Sequence, residues 1–319
     1  MWKSLNWWPN AKANELIVRR NLLVIVTGPT ASGKTHLAIE LAKHYATDVI
    51  SADSRQIFKD IPIGTAAPTP EEQASAFHHF VGILELEDYF SAARYEEEVM
   101  KLLPELWRKS PIAVMCGGSM MYVDAVVKGI DRMPTISDST RDYVLRMLAD
   151  QGLEGVLAQL KILDPDYWEL VDHNNTRRVV HGVEICLEAG VPYSTLRTGS
   201  IAKRDFDIVK FAIDWPREAL FERINRRVEL MMEQGLLHEA EAAMTRGPLN
   251  SLNTVGYKEL RAYFDGEWDL ETAVARIQKN TRVYAKKQLT WLKKDPDVVW
   301  LNPQNAYTEM LNYIKRFNV

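Results

Sequence analysis

Eight consecutive residues, Gly28-Pro29-Thr30-Ala31-Ser32-Gly33-Lys34-Thr35, fit the pattern G-x-x-x-x-G-K-[ST] without a departure. Such a loop binds phosphate: its glycines let backbone N–H groups close around an anion, and a following helix adds its positive end. Lys34 can neutralise phosphate oxygens, and the Thr35 hydroxyl suits Mg²⁺. The loop works only between a strand and a helix, and both are legible. Leu22, Leu23, Val24, Ile25 and Val26 form an apolar run suited to a strand buried on both faces. In His36 to Lys43, the apolar positions Leu37, Ala38, Leu41 and Ala42 make one helical face. The chain is therefore expected to bind a polyphosphate or pyrophosphate.

A second short strand, Asp48 to Ala52, ends at Asp53-Ser54-Arg55-Gln56. Ligands of open parallel sheets sit beyond the carboxyl ends of strands, so Asp53 is a candidate to face the same crevice as Lys34. An Asp ahead of a turn is equally often a helix N-cap, and both readings stay open. Residues 61–70 carry Pro and Gly and read as loop. His78-His79 has no Cys, third His or acid at ligand spacing, so hydrogen-bonding histidines are expected there and not a metal site. Tyr89 to Arg108 has helical spacing, and Ile112 to Cys116 is another buried strand, with Cys116 an inert thiol. Gly117-Gly118-Ser119 then turns into a helix.

From Ser137 to about Ser200 the pattern becomes helix after helix (Thr140 to Asp150, Leu153 to Leu163, Asn175 to Ala189), which predicts a helical insertion. Phe206 to Ala212 restores a strand. Helices follow at Glu218 to Gln234, Leu236 to Thr245, Lys258 to Phe264 and Leu270 to Lys294. On the last, Lys279, Arg282 and Lys286 share a face, with Tyr284, Gln288 and Trp291 interleaved. That face is either solvated charge or a phosphate-backbone contact.

The 319 residues suffice for an α/β core with a large insertion, and 46% hydrophobic and 26% charged residues are ordinary for a globular protein. Two cysteines, Cys116 and Cys186, build neither a disulfide framework nor a zinc site and fit a reducing cytoplasm. No run reaches transmembrane length, so a cytoplasmic protein without a membrane partner is expected, and a monomer. Residues 1–20 read as an N-terminal extension without assigned function. The net charge of −4 is a point against a nucleic-acid partner, which would need a local basic face.

A P-loop alone favours an ATP-binding small-molecule kinase or NTPase. An arginine-rich nucleotide-kinase lid and an Asp-x-x-Gly strand end are not evident, however. The competing reading is a loop that holds a pyrophosphate leaving group. Six ordered segments decide between them: residues 26–35, 50–69, 78–83, 116–129, 254–260 and 285–292, reading VTGPTASGKT, ISADSRQIFKDIPIGTAAPT, HHFVGI, CGGSMMYVDAVVKG, TVGYKEL and AKKQLTWL. Together they resemble the bacterial tRNA dimethylallyltransferase (tRNA isopentenyltransferase) family over nearly the whole chain after residue 21.

The resemblance implies an α/β fold, a P-loop NTPase-like core with a parallel sheet (residues 21–136 and 201–319) plus a helical insertion domain (137–200) that clamps the anticodon stem-loop. It implies Mg²⁺-dependent transfer of a dimethylallyl group from dimethylallyl diphosphate to N6 of the adenosine 3′ of the anticodon in tRNA. An adenylate isopentenyltransferase acting on free nucleotides is the alternative within the same chemistry, and the basic 276–294 stretch argues for RNA. By the resemblance Asp53 is the base at N6, and Lys34, Thr30 and an arginine of the helix after the resumed strand, Arg227 in preference to Arg223, serve catalysis. Residues Gly28, Pro29, Thr30, Ala31, Ser32, Gly33, Lys34 and Thr35 take the diphosphate, with Thr35 on the metal. Asp53, Ser54, Arg55 and Gln56 hold the flipped-out base. Ser119 stands where the family usually has Thr, and Arg141 opens the insertion. Arg177, Arg178 and His181 fall on the family's Gln-Arg-x-x-Arg, with two of three positions changed. Gly256, Tyr257, Lys258, Arg282 and Lys286 complete the expected tRNA contacts.

Overall fold

The computed structural model describes residues 20–317, so the reading of residues 1–20 as an extension falls almost wholly outside the described residues. Six strands, β1 (Leu22–Thr27), β2 (Val49–Ser51), β3 (His78–His79), β4 (Ile112–Gly117), β5 (Asp207–Ile213) and β6 (Val298–Leu301), form one parallel sheet. Their order is β3-β2-β4-β1-β5-β6, which seats β1 at the centre, paired with β4 and β5. Alternation along β1 divides the core. Leu22, Val24 and Val26 pack with Leu37, Leu41 and Met310 on one face. Leu23 and Ile25 pack with Tyr95, Val99, Leu103 and Val126 on the other. Each fully buried aliphatic side chain contributes about 1.5–3 kcal/mol.

The covering helices are α1 (Lys34–Tyr45) and α13 (Ala306–Ile314) on the first face, α3 (Ala92–Trp107) and α4 (Met120–Lys128) on the second. A short α2 (Pro70–Ser75) stands where only loop was expected. Thr69 accepts the Glu72 N–H and Glu72 returns a carboxylate to the Thr69 N–H, a capping box that the Pro-rich surroundings obscured. Strands β3 and β6 and helix α13 were likewise unforeseen.

Residues 138–196 fold as α5 (Asp138–Leu163), α6 (Pro165–Leu170), α7 (Thr176–Ala189) and α8 (Tyr193–Leu196). Gly152 at φ 67° breaks α5 into the two helices that the spacing predicts. Val144, Val156, Leu160, Val179 and Val183 give this unit its own apolar cluster. A further helical layer, α9 (Arg217–Glu233), α10 (Leu236–Met244), α11 (Tyr257–Phe264) and α12 (Leu270–Leu292), packs around Ile57, Phe58 and Ile61, the turn that follows β2. Among the described residues no helix is long and apolar enough to cross a membrane.

Candidate active site

The phosphate loop links β1 to α1 at the sheet's carboxyl edge. Gly28 and Gly33 adopt φ 147° and 93°, conformations that L side chains rarely reach. Helix α1 has neither a side-chain cap nor an acidic residue in its first turn. Its first backbone bond runs from Leu37 N to Gly33 O, so the N–H groups of Lys34, Thr35 and His36 have no helical acceptor. That is an anion site by geometry.

Three cations surround the loop. Lys34 Nζ donates to Pro29 O at 3.4 Å, Arg223 Nε to Ala31 O at 2.8 Å, and Arg227 Nη1 to Thr30 Oγ1 at 3.3 Å. The Trp215 indole N–H adds a bond to Ser32 O at 2.8 Å, with Arg223 stacked on its ring. All these acceptors are carbonyls or a hydroxyl. Burial pulls the Lys34 amine below its ordinary value, and the nearby Arg227 acts in the same direction. Burial and then Arg223 do the same to Arg227. Buried like charges cost free energy until an anion joins them. Among the described residues the Ser32 hydroxyl, buried beside Gly28, also has no partner. The cradle is complementary to a diphosphate.

No helix follows Asp53, which caps a turn instead. Its Oδ1 accepts the N–H groups of Arg55 at 2.9 Å and Gln56 at 3.3 Å, capping the turn. Among the described residues Oδ2 has no hydrogen-bond partner, and the carboxylate lies in the field of Lys34 and Arg227. One oxygen therefore fixes the turn while the other is free to accept a proton. The neighbouring turn is braced from β4: Ser119 Oγ accepts Ser54 N at 2.8 Å, and Ser119 N donates to Ala52 O at 3.1 Å. Arg55 donates to Asn250 O and Ser251 O at 3.0 and 3.2 Å.

A family model described as IPP transferase matches residues 56–295. The chain belongs to the IPP transferase family. It is 48% identical over 296 residues to tRNA dimethylallyltransferase 1 of Phocaeicola vulgatus, covering 93% of this chain and 98% of the relative. It is 52% identical over 286 residues to tRNA dimethylallyltransferase 2 of Parabacteroides distasonis, covering 90% and 96%. The crystal structure of the full-length tRNA isopentenylpyrophosphate transferase from Bacillus halodurans superposes with a TM-score of 0.67 at 32% identity, over 93% of this chain and 96% of that one. A eukaryotic dimethylallyltransferase acting on tRNA shares the fold, with a TM-score of 0.78 at 24% identity over 93% and 79% of the two chains.

Within this IPP transferase the remaining expected site residues divide sharply. Arg177, Arg178 and His181 lie on the exposed face of α7, as Arg141 does on α5. Glu184, buried, draws Arg141 to 4.0 Å and His181 to 3.7 Å. Arg177 stands near enough to Arg55 for its charge to add to the effect of burial in lowering that guanidinium. On α12, Lys279, Lys286 and Lys287 are exposed, while Arg282 is pinned to Asn225 Oδ1.

Several of the expected contact residues are engaged inside the protein. Tyr257 is fully buried, its hydroxyl donating to Glu239 Oε1 at 2.6 Å, so it braces the core and is not presented to a ligand. Its neighbour Gly256 is also buried, with its N–H on Glu259 Oε2 at 2.8 Å, and only Lys258 of that motif is exposed. Gln56 uses its amide to hold Thr65 O at 3.2 Å and Ala66 O at 2.9 Å, which occupies both of its donors. Ser119 is buried and acts through Ser54. Gln288 and Trp291 turn inward from the basic helix: the indole N–H of Trp291 meets Asp124 Oδ2 at 3.0 Å. The spacing of lysines placed both on the outer face, and packing against β1 and α4 overrode it.

The histidines behave as expected of hydrogen-bonding groups. His78 Nδ1 meets Ala76 O at 2.7 Å, and His79 Nε2 meets Asp48 Oδ2 at 3.0 Å. Burial pushes the Cys116 thiol up to about 11, which makes it inert although it lies beside Lys34 and Thr35. No group of three or more His, Cys, Asp or Glu that could hold a metal exists among the described residues. The Thr35 hydroxyl at the loop suits a cation that takes most of its ligands from phosphate and water, as Mg²⁺ does.

Proposed function

We propose that the chain transfers the dimethylallyl group of dimethylallyl diphosphate to N6 of the adenosine 3′ of the anticodon in tRNA. The observation that carries this is a cationic cradle around Lys34, Arg223 and Arg227 that acts electrostatically on Asp53, whose Oδ2 is unpartnered among the described residues. The adenine amine is a weak nucleophile because its lone pair is delocalised into the ring. As N6 attacks C1 of the allylic chain, the C1–O bond breaks and its electron pair leaves on the diphosphate. The N6 proton passes to Asp53 Oδ2, which raises the electron density at nitrogen as the new bond forms. Lys34, Arg223, Arg227 and the open N–H groups of α1 then stabilise charge that grows on the leaving group. Thr35 would help to hold Mg²⁺, which supplies further charge neutralisation at the diphosphate when bound.

The adenosine must leave the anticodon-loop stack to enter the crevice, at a cost of a few kcal/mol. Arg55 and Tyr284 lie in the electrostatic reach of Asp53, and their planar groups suit an extruded base. The exposed cations of α7 and α12 suit the phosphates of the stem-loop. The test gives the purified protein Mg²⁺, tRNA lacking the modification and labelled dimethylallyl diphosphate, beside a parallel reaction with ATP. Label released from the digested tRNA as N6-(dimethylallyl)adenosine is the expected result. Label on free AMP alone would make the chain an adenylate isopentenyltransferase, and ATP consumption without transfer would make it a kinase or NTPase.

A further inference from the structure

The mechanism needs two loops from different strands held at a fixed separation, and a single side chain ties them. Gln288 on α12 is 3% exposed. Its Oε1 accepts the N–H of Thr30 in the phosphate loop at 2.9 Å, and its Nε2 donates to Gly118 O beyond β4 at 2.9 Å. Thr30 continues toward the cradle through its hydroxyl, which accepts from Arg227. Gly118 continues toward the base through Ser119, whose backbone N–H holds Ala52 O and whose Oγ holds Ser54 N. A side chain at position 118 would overlap the Gln288 amide, and one at 117 would overlap the Ala52 carbonyl, so both approaches depend on glycine.

We propose that Gln288 is a positioning residue whose amide sets the gap between the diphosphate cradle and the Asp53 turn. The proposal rests on the dimethylallyl-transfer reading for its consequence in rate, and on geometry alone for the clamp. Glutamine suits the task because one planar group accepts from one loop and donates to the other. Methionine or leucine would fill the volume and make neither bond. Without the clamp each loop keeps its own ligand-binding groups, and what is lost is their register. Misplacement of reacting groups by about 1 Å costs about 10²-fold in rate.

The experiment compares wild type with Gln288→Met and Gln288→Leu, two shapes of which one suffices if the other does not fold. The expected result is a fall of 10- to 100-fold in the single-turnover rate at saturating substrates, with affinities for inorganic pyrophosphate and for tRNA within about threefold of wild type. A purely structural role would lower the melting temperature and leave the saturating rate of the folded enzyme unchanged. A rate within threefold of wild type overturns the proposal. So does a loss confined to pyrophosphate affinity, which would place Gln288 in the cradle alone. Amide hydrogen exchange reads the clamp independently of chemistry: the Thr30 and Ser54 N–H groups should both exchange faster in Gln288→Met. Acceleration at Thr30 only refutes the two-loop tie. If wild type transfers nothing, the functional reading fails, and the exchange result still decides the clamp.

Discussion

Replacing Asp53 by Asn and by Ala separates its two jobs. Asn keeps an oxygen where Oδ1 accepts the Arg55 and Gln56 N–H groups at 2.9 and 3.3 Å, so the turn survives. Ala removes that acceptor and costs about 1 kcal/mol of stability, the usual worth of such a cap. Both variants lose the proton acceptor at Oδ2. General-base assistance accounts for about 10²–10⁴-fold in rate, or roughly 3–5 kcal/mol of barrier at about 1.4 kcal/mol per tenfold. Removing the carboxylate also leaves Lys34 and Arg227 with one fewer opposing charge, so pyrophosphate affinity should hold or rise. The assay is single-turnover transfer at saturating diphosphate and stem-loop, with separate titrations of pyrophosphate and tRNA. Asn and Ala should lose the rate to a similar extent while differing in urea midpoint. An Asn variant that turns over within fivefold of wild type would exclude Asp53 as the base. A loss of rate matched by a loss of tRNA affinity would make Asp53 a binding residue.

Tyr257→Phe strips one of three donors from Glu239, which also holds Ile63 N and Gly64 N at 2.7 and 2.8 Å. A loss of about 1–3 kcal/mol in urea unfolding is expected with tRNA affinity unchanged; the reverse pattern would restore Tyr257 to the RNA surface. His78 is buried, with Nε2 unpartnered among the described residues, and burial holds its pKa below 6.5. The unfolded chain therefore binds the extra proton first, so stability is full above pH 6.5 and declines as the pH falls below it. His78→Asn should flatten part of that decline, and an identical pH profile for both proteins would rule the histidine out as its source. Lys286→Ala on the exposed face of α12 should reduce the salt slope of tRNA binding by about one. A wild-type affinity that ignores salt would remove the basic helix from the interface.

Strands β1 and β4 were legible because each is a continuous apolar run between turn signals, as a strand covered on both faces must be, and β2 and β5 because short apolar runs rich in β-branched residues stand between turn signals there. Strand β6 is four residues behind a charged stretch, and β3 is a pair of histidines, so neither carries a periodicity to read. The P-loop was legible because its chemistry is local, with every functional group within eight residues. The clamp was not: Gln288 meets partners 258 and 170 positions away, and nothing in its own neighbourhood distinguishes it from the lysines beside it. Tyr257 misled for the same reason. Its motif marks a backbone and packing requirement, where Gly64 leaves room for the tyrosine ring, and a packing motif looks like a functional one when only sequence is read.

The net charge of −4 argued against RNA, and the arrangement of charge answers it. At physiological ionic strength exposed charges act over about 8 Å, so only those lining a docking surface contribute to phosphate binding. Glu97 and Glu98 both pair with Lys101 on α3, and Glu229 and Glu233 both pair with Arg226 on α9. Each group keeps a net charge of −1, which screening confines to the neighbourhood of its own helix. Arg177, Arg178, Lys279, Lys286 and Lys287 are exposed on α7 and α12. Glu184 is buried beneath Arg141 and His181, where it orders them without screening their outward faces. A chain can thus be acidic in sum and cationic where an anticodon stem would lie. Charge-reversing an acid on α3 should accordingly leave tRNA affinity almost unchanged, although it alters net charge as much as Lys286→Glu does. Equal effects of the two substitutions would mean that total charge, and not these two helices, governs the encounter.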